Sequence, residues 1–192
     1  GGDEFRATGG PLGVEEISDR RPACEVYLAA CREAGFQDNP DYNGAFQEGI
    51  GYFQTTTRNG RRSSTAVAFL NPAKKRPNLR VVTRALATKV VVEKGRAVAV
   101  SYCQDGEERE SRAEREGVLS GGSINSPQLL QLSGIGDADH LRGLGIPVVH
   151  DLPDVGQNLQ DHYQTRVVYE LEGLESLNSD VRNPIKRILM GA

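Results

Sequence analysis

Val118-Leu119-Ser120-Gly121-Gly122-Ser123-Ile124-Asn125-Ser126-Pro127-Gln128-Leu129-Leu130-Gln131-Leu132 is the stretch on which the fold turns. Gly117 to Ser120 reads as a short buried strand. It runs into a glycine turn, and Ser126-Pro127 predicts a helix start, with Ser as N-cap and Pro at the first helical position. Unpaired N–H groups at a helix N-terminus attract anions, and glycines let a phosphate approach the backbone closely. An ordinary strand-to-helix turn reads the same way. The dinucleotide fingerprint GxGxxG and the P-loop are both absent from the 192 residues. Gly134-Ile135-Gly136 supplies only GxG, with Asp139 where the third glycine would stand. A nucleotide bound at this turn would have its main pyrophosphate loop elsewhere.

Working outward, Asp137 to Leu144 predicts a short helix, and Ile146 to His150 and Tyr163 to Leu171 predict strands. Upstream, Leu79 to Thr83, Ala87 to Glu93, Ala97 to Gln104 and Glu107 to Ala113 read as successive strands. Gly95 and Asp105-Gly106 are their turns. The polar run from Glu107 to Glu116 gives this meander one wet face. Tyr52 to Thr57 predicts a further strand, and Asn59-Gly60 a tight turn. Ser63 or Ser64 caps a short helix through Ala66 to Leu70. Ser18 to Glu33 predicts a helix with Ser18 or Asp19 as N-cap, Pro22 in the first turn and Gly35 at the end. Residues 1–13 and 38–51 read as loop. There are no internal repeats.

Composition narrows the function. Net charge is −3, which argues against nucleic acid as the main partner, because phosphate-backbone binding needs a basic surplus or a concentrated patch. The run Lys74-Lys75-Arg76 reads as solvated loop. No segment has the roughly 18 apolar residues of a membrane span, and no secretory signal opens the chain. Cys24, Cys31 and Cys103 form neither a CxxC pair nor an even disulfide set. Cys24 and Cys31, two helical turns apart, read as buried thiols on one helix face. A reduced, cytoplasmic setting follows. No GxSxG elbow is present, and Asp161-His162 are adjacent, which is poor geometry for a base and its orienting group. His140, His150 and His162 match no compact metal-ligand spacing. The residues alone therefore give a loop-rich α+β chain with one anion-facing helix start.

Gly122 to Gly136 resembles, at every constrained position, the second signature of the glucose–methanol–choline (GMC) flavoprotein oxidoreductases. Further segments resemble that family in the same order: Gly9-Gly10-Pro11-Leu12, Gly60-Arg61-Arg62-Ser63-Ser64 followed by Ala68-Phe69-Leu70, Arg76-Pro77-Asn78-Leu79, and Asp154-Val155-Gly156-Gln157-Asn158-Leu159-Gln160-Asp161-His162. The wording is nearest to choline-dehydrogenase-like alcohol dehydrogenases. The resemblance implies an α/β fold with α+β character: part of a Rossmann-like FAD-binding domain with the start of a GMC substrate domain. Residues 1–75 would be FAD-domain loops and a substrate-side excursion, 76–160 the central FAD-binding portion with its meander, and 161–192 the opening of the substrate domain. The implied cofactor is FAD, which accepts hydride at N5 from a small-molecule alcohol. The acceptor that reoxidises it, oxygen or another, stays open. By the same resemblance Ala87 would meet the adenine through its backbone, and Gly122 and Ser123 would lie beside the cofactor. Gly121 and Ser123 stand where alanines are usual in the family. No residue here is assigned as catalytic: the family's GxGxxG would precede this stretch and its catalytic histidine would follow it. An internal fragment of such an enzyme is expected. A non-catalytic flavin-nucleotide-binding or scaffold module is the alternative.

Overall fold

A computed structural model describes residues 4–174 and 176–189. The first three residues of the opening loop and the last three of the expected substrate-domain start lie outside the described residues. The chain divides into two compact units. One holds the described residues up to Arg80 and those from Arg166 onward, and the other is Val81–Thr165.

In the first unit, helix α1 spans Pro22–Glu33. It begins later than Ser18 because a residue before proline is pushed out of the helical region. Arg21 is indeed extended, at φ −81° and ψ 139°, while Asp19 forms an ion pair with Arg21. The end is as predicted. Gly35 takes φ +93°, and the Gly35 and Phe36 N–H groups donate to the carbonyls of Arg32 and Cys31, a Schellman closure. Leu28 is the one buried residue of α1 among those described. The expectation of two buried thiols is therefore corrected: Cys24 is exposed and Cys31 half-buried, because little packs over that face.

The strand expected over Tyr52–Thr57 shrinks to a bridge between Thr55 and Glu15 and a hairpin, β1 Thr57–Arg58 with β2 Arg61–Arg62. Asn59 and Gly60 both have positive φ, as a type I′ turn requires. A π-helical turn follows at Ala66–Leu70, continued by the short α2 at Asn71–Ala73. At the other end of the sequence, α5 (Leu177–Arg182) and α6 (Pro184–Leu189) form a pair. Asp180, buried on α5, is ion-paired with Lys186 and with Arg21. Those two cations hold its carboxyl below the usual carboxylate range, Lys186 contributing most.

The second unit is built on the predicted meander. Strands β3 (Ala85–Glu93), β4 (Arg96–Gln104) and β5 (Glu107–Arg112) pair antiparallel in the order β3-β4-β5. Lys94-Gly95 and Asp105-Gly106 make the turns, all four residues with positive φ. Leu79–Thr83 stays outside the sheet; the Gln104 amide instead donates to the Thr83 carbonyl at 2.9 Å. Every residue of β5 is exposed, a charged edge strand that discourages further pairing.

Helix α3 spans Gly122–Leu132, so it starts one turn upstream of the predicted Ser126 cap. The Ser126 hydroxyl reaches back to accept the Gly121 N–H at 2.9 Å. Pro127 is thereby enclosed in the helix, and having no N–H it leaves the Ser123 carbonyl without its i+4 donor. Gly117 to Ser120 is not a strand, and Val118 is 79% exposed. Beyond α3, β6 (Ile135–Gly136), α4 (Ala138–Gly143) and β7 (His150–Asp151) form a small parallel βαβ unit around the fully buried Leu141. The helix expected from Asp137 is present as α4, and the structure shows Asp137 as its cap, accepting the His140 N–H at 2.7 Å. The expected strand from Ile146 is reduced to β7. Tyr163–Leu171, expected as a strand, pairs with nothing among the described residues, and Val168 there is 89% exposed.

The chain exposes 16013 Å². A compact globule of this mass exposes roughly 9,000 Å², and two separate globules of half the mass roughly 11,000 Å². Much apolar surface is therefore uncovered. Expressed alone, the chain is expected to bind the dye ANS and to associate with rising concentration. A monomer that unfolds cooperatively without taking up the dye would contradict this.

Candidate functional site

The second unit contains a cleft of about 520 Å³ between one face of α3 and the loop from Gly156 to Gln160. Two sequence motifs far apart in the chain meet here. Ser123, Pro127 and Gln131 come from the helix, and Gly156, Asn158 and Gln160 from the loop. The Gln131 side-chain amide donates to the Val155 carbonyl at 3.1 Å, tying loop to helix. Gly156 has φ +85°, and a Cβ there would stand 3.0 Å from that same amide nitrogen. Glycine meets both the conformational and the spatial demand. Asn158 also has positive φ, at 56°, a conformation asparagine tolerates better than most residues.

Every residue lining the cleft is uncharged. Amide and hydroxyl groups dominate its polar surface, so it is suited to holding a ligand by hydrogen bonds and unsuited to moving protons at neutral pH. Asp161 and His162 lie just beyond the loop. The Asp161 carboxylate accepts the His162 backbone N–H at 2.8 Å, which does not make it an orienting partner for the imidazole ring. Among the described residues, no group of three or more His, Cys, Asp or Glu is placed to hold a metal ion.

Gly122 and Ser123 lie side by side at the N-terminus of α3, both exposed. Gly122 has φ +87°, and a Cβ on it would meet nothing within 4 Å. Gly121, at the cap position, brings no side chain to cover the first-turn N–H groups. The helix start is thus open to a ligand, and the Ser123 carbonyl adds an acceptor. Ala87 lies on β3, an edge strand of its sheet, exposed and opposite Tyr102. The register jumps between Ala87 and Lys89. A bulge there frees backbone groups from the ladder, as a backbone contact to a ligand would need. Ser123 borders the cleft; Ala87 and Gly122 do not. The amide groups of Gln131 and Asn158 escaped the sequence reading of the site. The signal for them was the Asp154 to His162 run, whose glycine and asparagine mark left-handed turns.

None of the described helices is long and apolar enough to cross a membrane. The profile of the GMC oxidoreductase family matches residues 3–164. Mitochondrial choline dehydrogenase of Mus musculus is 44% identical over 191 residues, covering 100% of this chain and 32% of the relative. An alcohol dehydrogenase [acceptor] of Pseudomonas putida is 46% identical over 160 residues, 82% of this chain and 29% of that protein. Among solved structures, an FAD-dependent oxidoreductase from Chaetomium thermophilum superposes with a TM-score of 0.77 at 30% identity, over 81% of this chain and 28% of that one. The chain spans about a third of the length of the curated relatives it matches.

Proposed function

Because this chain belongs to the GMC oxidoreductase family, we propose that it forms the middle of the flavin domain of an FAD-dependent enzyme that oxidises choline or a related primary alcohol. The observation that carries this reading is the 44% identity to a choline dehydrogenase across the whole chain. In this reading residues 76–160 are the central flavin-binding portion, 1–75 its loops and substrate-side excursion, and 161–192 the opening of the substrate domain.

The residues fit the cofactor. The uncapped start of α3 leaves Gly122 and Ser123 open to a dinucleotide, and the bulge beside Ala87 leaves backbone groups available to an adenine. When bound, FAD would accept the hydride that leaves the alcohol carbon. The cleft residues Gln131 and Asn158 hold and orient, since an uncharged lining cannot take the hydroxyl proton. The base for that proton belongs, in this reading, to a segment outside this sequence. Three free cysteines support a reducing compartment, taken here as the cytoplasm. The mouse relative's name makes a mitochondrial location the alternative.

The test is the complete gene product, purified and mixed with choline in the absence of oxygen. Yellow protein whose flavin absorbance bleaches on adding choline is expected. Colourless protein would overturn the cofactor assignment and favour a non-catalytic module. Bound flavin that neither choline nor simple primary alcohols can bleach would overturn the activity alone.

A further inference from the structure

The charge of the chain is unevenly placed. No Asp or Glu occurs between Glu48 and Glu93, whereas seven Lys and Arg occupy residues 49–80, in a chain whose net charge is −3. Within the first unit, three of these line a second pocket of about 610 Å³: Arg58, Arg61 and Arg62 on the β1–β2 hairpin, opposite an apolar wall that includes Pro11, Val67 and Pro72. The hairpin register sets Arg58 directly across from Arg61, a like-charge pairing that costs stability in a sheet. Arg58 is held by the neutral Gly10 carbonyl, at 3.1 Å, so its charge is uncompensated by that contact. Among the described residues, the side chains of Arg61 and Arg62 have no hydrogen-bond or ion-pair partner. Glu15 already accepts from the Thr57 hydroxyl and the Asn59 N–H; these bonds, helped by the charge of Arg58, hold its carboxyl below the usual range.

The pocket is firmly built. The buried Ser63 hydroxyl accepts the Gly13 N–H at 2.9 Å, anchoring the Pro11 segment to the hairpin. A Cβ at Gly13 would stand 2.5 Å from the Thr57 carbonyl, so the two backbones touch. Guanidinium groups bind phosphate through paired, geometrically matched hydrogen bonds. We propose that this pocket is a binding site, separate from the flavin cleft, for a phosphate-bearing small molecule: the arginines take the phosphate and the Val67 wall takes an apolar body.

The probes are inorganic phosphate and phenyl phosphate, titrated calorimetrically into the complete gene product. Phenyl phosphate is expected to bind more tightly than inorganic phosphate. The double variant Arg61→Gln/Arg62→Gln should weaken both by about tenfold or more, the size of one lost charged hydrogen bond. Val67→Ser should weaken phenyl phosphate alone, and Lys74→Gln/Lys75→Gln, outside the lining, should change neither. Both arginines are exposed on a two-residue strand, so the glutamines do not threaten folding, and an unchanged circular dichroism spectrum checks this. No binding at millimolar concentration, or binding that the arginine variant leaves intact, overturns the site. Equal affinity for the two probes overturns the role of the apolar wall.

Discussion

Replacing Gly134 with alanine will open the β6–β7 unit, with a local loss of about 3 kcal/mol or more. Two costs coincide at this residue. Its φ is +84°, where an L side chain costs about 1–2 kcal/mol. An added Cβ would also stand 2.3 Å from the Pro147 carbonyl and 2.9 Å from a Val149 methyl. The first neighbour is backbone and cannot swing aside. The strand pair would have to part, and the Gly134 carbonyl would release the Val149 and His150 N–H groups it now accepts. Amide hydrogen exchange of residues 149–152 in the complete gene product reads this directly, with about hundredfold faster exchange expected. Gly106→Ala is the control. That glycine has φ +83° but nothing within 4 Å of an added Cβ, so it carries the conformational cost alone. Equal effects at the two sites would show that the close approach at Gly134 does not matter.

What the sequence made legible follows from how local each determinant is. Asn59-Gly60 and Asp105-Gly106 announce type I′ turns because the turn conformation is a property of those two residues. The Gly35 stop is equally local. Helix starts were less legible. Pro22 overruled Ser18 through the residue before it, and the Ser126-Pro127 signature concealed a helix that had begun at Gly122. Strands were least legible where they need a partner. Tyr163–Leu171 alternates well enough, yet a strand is a pairing, and none of the described residues offers one. The candidate site divides along the same line. Gly122 and Ser123 were readable as a turn before a helix, whereas the meeting of Ser123 with Gly156–Gln160 across the cleft is a tertiary fact that only a matching motif could hint at. The arginine pocket was missed for a related reason. Arg61-Arg62 looks solvated in a list, and only the hairpin register brings Arg58 across to join them.

Ser133→Ala will release the other end of the same helix. Ser133 is 1% exposed and joins two elements through one hydroxyl. Its Oγ–H donates to the Leu129 carbonyl at 2.6 Å, and its oxygen accepts the Val90 N–H at 2.8 Å. Val90 is itself buried, at the centre of β3. Alanine would keep the helix end, since the Ser133 N–H still donates to Leu129 and Leu130, but would strand the Val90 N–H without water or partner. An orphaned buried donor costs about 1–3 kcal/mol, so Val90 exchange should accelerate by ten- to a hundredfold, near the middle of that range. Ser64→Ala removes a hydroxyl of the same kind, which accepts the Val67 N–H at 3.3 Å in an exposed setting, and should change little because water replaces it. The consequence extends to the proposed cofactor. Helix α3 presents Gly122 and Ser123 at one end and is tied to the meander carrying Ala87 at the other, so the Ser133–Val90 bond sets the relation between the two proposed flavin contacts. If that relation matters, Ser133→Ala will weaken flavin retention in the complete gene product while Ser64→Ala leaves it unchanged; equal retention in both variants would mean that the helix is positioned by its other contacts.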